Sequence, residues 1–314
     1  MDIKNYKPKG RITNKHLLTL LDYSAEEIFE IIYKAQHLKH LQKKGKPHKL
    51  LYGKTLAMIF AKSSTRTRVS FEQGIKQLGG TPMFLNSNDI QLGRGEPISD
   101  TVRVLERYNI DGIMIRTFKQ SDVEDLAKYG NIPIINGLTD DYHPCQALAD
   151  ILTVFEHFGA LKDIKLAYFG DGNNVANSLM IIGAKVGMKV VICTPKANAP
   201  NQELVKKVQE LGDVTITNDV AEAAENASVL YTDVFFSMGQ ELDDKKKNEL
   251  LKYQVNKEVL EMSKPDSIFM HCLPAHRGEE VTADVIDSER SVIYEQAENR
   301  LHTQKAVMAL LMKD

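Results

Sequence analysis

Short apolar runs alternate along the chain with longer stretches in which apolar side chains recur every three or four positions. Residues 56–61 (LAMIFA) form a continuous apolar run that predicts a buried strand, and the next segment places Phe71, Ile75 and Leu78 on one helical face. Residues 112–117, 132–136, 165–169, 189–193, 214–217, 228–234 and 267–270 repeat the strand pattern. Helical periodicity fits 25–44, 100–108, 123–129, 146–158, 175–186, 202–211 and 299–312. This alternation predicts an α/β protein: two doubly wound domains with parallel sheets joined by interdomain helices.

A chain of 314 residues suits two domains better than one. The stretch 146–158 reads as a bridge between them. The segment 299–312 is amphipathic, with Ala306, Val307 and Leu310 near one stripe, and is expected to pack back on the first domain. The expected division is therefore 1–145 with 299–314, and 146–298.

Charge narrows the function. Forty Lys and Arg against 42 Asp and Glu give a net charge of −2, so no basic field exists to hold nucleic acid or a membrane surface. An anion must be caught locally by a few placed groups. No apolar run approaches the ~18 residues needed to span a bilayer. Residues 1–18 are polar and lysine-rich with no apolar signal region, so a cytoplasmic location is expected. Cys145, Cys193 and Cys272 are far apart and form no CxxC pair, which points to reduced thiols.

Two apparent motifs fail on spacing and a third on side-chain direction. Gly53-Lys54-Thr55 looks like the end of a P-loop, but His48 stands where its first glycine belongs. Gly170-Asp171-Gly172 follows a strand, but Val175 occupies the third glycine position of a dinucleotide fingerprint. His271 and Cys272 are adjacent in a predicted strand, so their side chains are expected on opposite faces, and no metal site is expected.

Ligands of open α/β sheets sit beyond the carboxyl ends of strands. After LAMIFA comes Lys62-Ser63-Ser64-Thr65-Arg66-Thr67-Arg68, whose hydroxyls suit a helix N-cap and whose first amides and dipole favour an anion. Arg66 adds a fork suited to phosphate. Arg68 lies about 200° around the helix from Arg66 and is expected to pair with Glu72 instead. Arg116 closes the strand GIMIRT, His143-Pro144-Cys145-Gln146 opens the bridging helix, and His271-Cys272-Leu273-Pro274 follows another strand. Taken singly, each is an ordinary capped turn or solvated arginine. Together they offer donors for a polarised carbonyl and a phosphate, each worth about 2.7–4 kcal/mol of barrier.

The order and spacing of Ser64-Thr65-Arg66-Thr67-Arg68, His143-Pro144-Cys145-Gln146 and His271-Cys272-Leu273-Pro274 resemble the aspartate/ornithine carbamoyltransferase family, from about residue 13 to 312. Asp233 ahead of Ser237-Met238-Gly239, Asn174 in GDGNN, the stretch 139–150 and Glu298-Asn299-Arg300 resemble its ornithine branch. Phe235 stands where a tryptophan is common, and Ala61 where glutamate is frequent.

The resemblance implies site roles. Ser64, Thr65, Arg66 and Thr67 would hold the phosphate of carbamoyl phosphate. Arg116, His143 and Thr67 would polarise its carbonyl. Gln146 and Arg300 would orient it, and Gln91 would enter from a neighbouring subunit of a homotrimer or a multiple of trimers. Asn174, Asp233, Ser237 and Met238 would bind the α-groups of ornithine, with Cys272 and Leu273 beside its δ-amine. Neither metal nor organic cofactor is implied. Three rivals are a carbamoyltransferase for putrescine or an acylated ornithine, a nucleotide-binding oxidoreductase, and an inactive paralogue serving as a binding subunit.

Overall fold

A computed structural model describes residues 2–236 and 243–313, apart from the side chains of residues 93 and 94. The chain forms two compact units, one comprising 7–152 with 299–314 and the other 153–298 with 1–6. In order, the elements of the first are α1 (Ala25–Lys43), β1 (Thr55–Phe60), α2 (Thr65–Gln77), β2 (Thr81–Asn86), α3 (Ile98–Arg107), β3 (Gly112–Arg116), α4 (Gln120–Tyr129), β4 (Ile134–Leu138) and α5 (Pro144–Phe158). Those of the second are β5 (Lys165–Phe169), α6 (Asn174–Val186), β6 (Lys189–Cys193), α7 (Gln202–Gln209), β7 (Val214–Thr217), α8 (Val220–Ala224), β8 (Val229–Thr232), α9 (Asp244–Leu250), α10 (Lys257–Met262), β9 (Ile268–His271) and α11 (Ala283–Ile286). Helix α12 (Ile293–Leu311) follows, and the division between units falls inside α5 and α12.

Both sheets are wholly parallel, ordered β2-β1-β3-β4 and β7-β6-β5-β8-β9. The two-domain α/β architecture read from the alternation is therefore the one observed. Every residue of β3, β8 and β9 is buried, as a parallel strand covered on both faces requires. One face of the first sheet puts Ala57, Ile59, Ile113 and Ile115 against Val102 of α3 and Val123 and Leu126 of α4. In the second, Ala167, Phe169, Leu230 and Phe269 pack with Ala223, Val259 and Val285 from the small helices. Burying each large aliphatic or aromatic side chain is worth about 1.5–3 kcal/mol relative to leaving it exposed.

Strand β2 is absent from the hydrophobic pattern. Its residues are mostly exposed or half-buried, and it contains Pro82. It runs along the sheet edge, where a missing N–H breaks no ladder. Strand β4 ends two residues beyond its apolar pattern, and Gly137 within it leaves no room for a side chain, since a Cβ there would meet Met114 Sδ at 2.6 Å.

Helix α1 starts at a capping box formed by Ser24 and Glu27. The Glu27 carboxylate also accepts from the Thr13 amide and hydroxyl at 2.9 and 2.7 Å, and from Asn14 Nδ2 at 2.9 Å. Partial burial pushes its pKa up, but the Thr13 hydroxyl and the amides of Ser24, Thr13 and Asn14 outweigh that and hold it at about 2, below the ordinary 4.5. A carboxyl depressed in the folded state stabilises above its unfolded pKa and loses that effect as pH falls toward the folded one. Urea denaturation is thus expected to show Glu27→Gln less stable than wild type above pH 4.5, with the gap closing as pH falls toward 2.

Candidate active site

In the first sheet the chain leaves β1 toward β2 on one side and reaches β3 on the other. Open α/β sheets bind ligands beyond the carboxyl ends at such a switch point. Here β1 runs into α2 through Ser64, an extended N-cap residue whose hydroxyl accepts from the Thr67 amide at 3.3 Å. Helix geometry leaves the Thr65 and Arg66 amides without an intrahelical acceptor, pointing out of the positive end of the dipole. Arg66 is exposed there. Arg68 turns away, as expected: its Nε donates to Glu72 Oε1 at 2.9 Å, and its guanidinium lies 3.6 Å from the centre of the Phe84 ring. Lys62 is buried, ion-paired to Asp140 and 4.2 Å from the centre of the Phe118 ring.

Arg116 at the end of β3, His143 before α5 and Arg300 on α12 are all buried. Arg300 donates through Nη1 to Gln146 Oε1 at 2.6 Å and through Nη2 to Thr67 Oγ1 at 3.4 Å. Gln146 passes its own amide to Asp150 Oδ1 at 2.8 Å. With its oxygen turned toward Arg300, the Gln304 carboxamide accepts from Nε at 3.2 Å and Nη2 at 3.0 Å, and donates to Ser70 Oγ at 2.6 Å. The pKa of His143 is lowered well below 6.5, first by burial and then by Arg300, Arg116 and Arg66. It is a neutral imidazole at neutral pH, able to donate one hydrogen bond to a carbonyl oxygen. Guanidinium groups, hydroxyls, free amides and one neutral donor are what a phosphate ester with an adjacent carbonyl requires. Gln304 and Asp150 were not singled out from the sequence. Their i, i+4 spacing from Arg300 and Gln146 was the available signal.

The second sheet has its switch point between β5 and β8. The turn after β5 is shaped by its glycines: Gly170 has φ 131°, and a Cβ on Gly172 would meet the Asn198 carbonyl oxygen at 2.4 Å and Pro200 Cδ at 2.6 Å. Close backbone approach therefore explains the pattern that imitates a dinucleotide fingerprint. Asn173 caps α6 with Oδ1, accepting from Val175 and Ala176 amides at 2.9 and 3.2 Å, and donates through Nδ2 to Asp233 Oδ2 at 2.8 Å. Asp233, beyond β8 and buried, takes the Val234 amide at 2.8 Å and the Cys272 thiol at 2.9 Å on Oδ1. Asn174 is buried in the first turn of α6. Tyr168 sends its hydroxyl to the Asp171 carbonyl at 2.9 Å, and its pKa is raised well above 10 by burial and then by Asp233 and Asp171, so it stays neutral.

Strand β9 ends at His271, so Cys272 lies beyond the pleat and alternation does not separate the two side chains. Asp233, His271 and Cys272 bring potential ligand atoms within 4.8 Å of one another, which corrects the expectation that 271 and 272 point apart. These groups already bond to each other and to the backbone: His271 Nδ1 accepts from the Leu273 amide at 2.9 Å. Leu273 sits at φ 59°, a left-handed conformation costing about 1–2 kcal/mol for an L residue.

One group of expected residues thus converges in the first unit: Arg66, Thr67, Arg116, His143, Gln146 and Arg300, with Ser64 and Thr65 at the same helix start. Asp233 and Cys272 meet in the second, with Leu273 adjoining. Gln91 lies exposed in a 3-10 turn (Gln91–Arg94), and none of the contacts described here links it to either group. Ser237 and Met238 lie outside the described residues.

Residues 15–156 match the family model of the aspartate/ornithine carbamoyltransferase carbamoyl-P binding domain, and 162–311 that of its Asp/Orn binding domain. The anabolic ornithine carbamoyltransferase of Pyrococcus furiosus is 54% identical over 307 residues, covering 96% of this chain and 97% of that protein. The ornithine carbamoyltransferase of Oceanobacillus iheyensis is 55% identical over 309 residues, 96% of each chain. Among solved structures, ornithine carbamoyltransferase from Pyrococcus furiosus superposes with a TM-score of 0.91 at 54% identity, covering 96% of this chain and 97% of that one. The enzyme from Thermus thermophilus gives 0.88 at 39% identity, covering 96% and 100%.

The protonation state of His143 is directly measurable. Its imidazole signals in nitrogen-15 spectra are expected to stay in the neutral form as pH falls through the ordinary histidine midpoint of about 6.5. A midpoint at or above that value would show that burial and the arginines do not govern it.

Proposed function

The chain belongs to the aspartate/ornithine carbamoyltransferase family, and from that premise we propose that it transfers the carbamoyl group of carbamoyl phosphate to the δ-amine of L-ornithine, giving L-citrulline and phosphate. The observation that carries this is the buried cluster of Arg116, His143, Gln146 and Arg300 beside the α2 start, which suits a phosphate dianion and its carbonyl together. The ornithine names of the relatives support the choice of amine.

Ser64, Thr65, Arg66 and Thr67 bind the phosphate through hydroxyls, first-turn amides and a guanidinium. Arg116, neutral His143 and the Thr67 hydroxyl draw charge onto the carbamoyl oxygen as a tetrahedral centre forms. Gln146 fixes Arg300, and the two orient the ligand. In the other unit, the Asp233 carboxylate suits the α-ammonium of ornithine and Asn174 its α-carboxylate, with Ser237 and the Met238 amide completing that subsite. Cys272 and Leu273 adjoin the δ-amine.

An alkylammonium has a pKa of about 10.4 in water, whereas attack needs the neutral amine, so the site must favour loss of that proton. The nitrogen lone pair attacks the carbamoyl carbon, the C–O bond to phosphate breaks, and the departing phosphate takes the proton that nitrogen sheds. No covalent enzyme intermediate forms. Rate comes from holding the two substrates in line and from donors placed where charge develops.

Carbamoyl phosphate binding is assigned to a domain of 1–145 with 299–314, joined by Gln146 at its boundary, and ornithine binding to a domain of 146–298. The working assembly is a homotrimer or a multiple of it, with Gln91 supplied by a neighbouring chain. The exposed edge strand β2, with Met83 and Phe84, supports a buried subunit contact there. Two ornithine relatives, from Pyrococcus furiosus and Campylobacter jejuni, are called anabolic, which supports a role in arginine biosynthesis; a cytoplasmic location is part of the same proposal.

The test is an amine panel. Purified protein with carbamoyl phosphate should form ureido product with L-ornithine, and little with putrescine or N-acetylornithine. Preference for either of those amines, or no product with any, would refute the assignment.

A further inference from the structure

Resting on the carbamoyl-transfer reading above, we propose that His271 and Glu280 are positioning residues for the amine half of the site, pinning the peptide that joins Cys272 to Leu273. Neither residue is needed to bind the substrates as described. Both are almost wholly buried.

Glu280 carries a buried carboxylate. A carboxylate out of water needs partners that satisfy it. Its Oε1 accepts from the His276 amide and lies 3.3 Å from His271 Nε2, while Oε2 lies 3.7 Å from His276 Nδ1. The carboxylate thus bonds the His276 end of the 271–276 segment and faces His271 Nε2 at ion-pair distance, an atom with no other hydrogen-bond partner among the described residues. An acceptor facing Nε2 favours the tautomer with its proton there and leaves the Nδ1 lone pair open. That lone pair takes the Leu273 amide at 2.9 Å. The His271 backbone is fixed independently, since its amide donates to Gln296 Oε1 at 2.9 Å and Gln296 Nε2 donates to the Tyr231 hydroxyl at 3.1 Å.

A trans peptide is planar, so its N–H and C=O point in opposite directions. Drawing the Leu273 N–H inward to His271 turns the Cys272 carbonyl away from the buried pair. The same constraint holds Leu273 at φ 59° and keeps the Cys272 thiol on Asp233 at 2.9 Å. Without the Nδ1 acceptor, the peptide is free to rotate toward a less strained backbone, and thiol and carbonyl move together. Carboxylate, imidazole and peptide form a chain that ends on the residues proposed to flank the attacking nitrogen.

The two ring nitrogens can be tested apart. Asparagine at 271 places a carboxamide oxygen near the Nδ1 position, and glutamine reaches instead toward that of Nε2. His271→Gln is expected to lower kcat/KM for ornithine by about 10²-fold, the scale of a small misplacement at a reacting centre. Its affinity for carbamoyl phosphate and its Tm should stay near wild type. His271→Asn should recover most of the loss. Glu280→Gln, which keeps Oε1 as an acceptor, should behave like wild type, and Glu280→Leu like His271→Gln. An active wild type whose Asn and Gln variants at 271 are equally impaired, or equally active, overturns the positioning role alone. So does a matching loss of carbamoyl phosphate affinity. A wild-type protein that makes no citrulline overturns the functional reading, and this inference falls with it.

Discussion

Two arginines out of water at the end of a parallel sheet set the terms for the first unit. A guanidinium taken from water costs several kcal/mol unless its donors are satisfied. Arg300 meets Gln146, Thr67 and Gln304 instead of bulk solvent. Those acceptors come from α5, α2 and α12 itself, so the C-terminal helix must dock against both earlier helices. Other cations hold it there: Lys39 donates to Asn299 Oδ1 at 2.7 Å, and Lys305 to Gln42 at 2.6 Å and Gln77 at 2.9 Å. Burial lowers the Lys305 pKa to about 8. Burial first, and then the same crowding of positive charge, makes His143 a neutral donor. A site rich in cations whose nearby imidazole remains uncharged has the donors that the proposed anion, which also carries a carbonyl, would need.

The second unit reaches preorganisation by the opposite sign. Its central charge is a carboxylate, Asp233, with both oxygens already directed by Asn173, Val234 and Cys272. Fixing a charge before a ligand arrives removes ordering cost from the binding step. Both sheets place their chemistry at the strand pair where connections diverge, so two unrelated charge arrangements follow from one topological rule.

Legibility tracked locality. Strands β5 and β6 match their apolar runs residue for residue, because the information for a largely buried strand lies within it. Strand β2 escaped because an exposed edge containing Pro82 has no such signature. The anion residues were readable because a helix cap, an arginine and a His-Pro start are short motifs with local reasons to exist. Asn173, Gln304 and Glu280 were not singled out, since each acquires its role only from a partner: Asp233 across 60 positions, Arg300 through a rotated amide, His271 across a loop. The separation inferred for His271 and Cys272 assumed a strand one residue longer than it is.

The claim that this cluster is built for a phosphate dianion is tested most directly by calorimetric titration of carbamoyl phosphate alone, into wild type and Arg66→Gly, at low and high salt. One site per chain is expected, with affinity that falls as salt rises and drops by about 10²-fold in the exposed-arginine variant, while its far-ultraviolet spectrum is unchanged. Equal binding by both proteins, or none by wild type, would contradict the account.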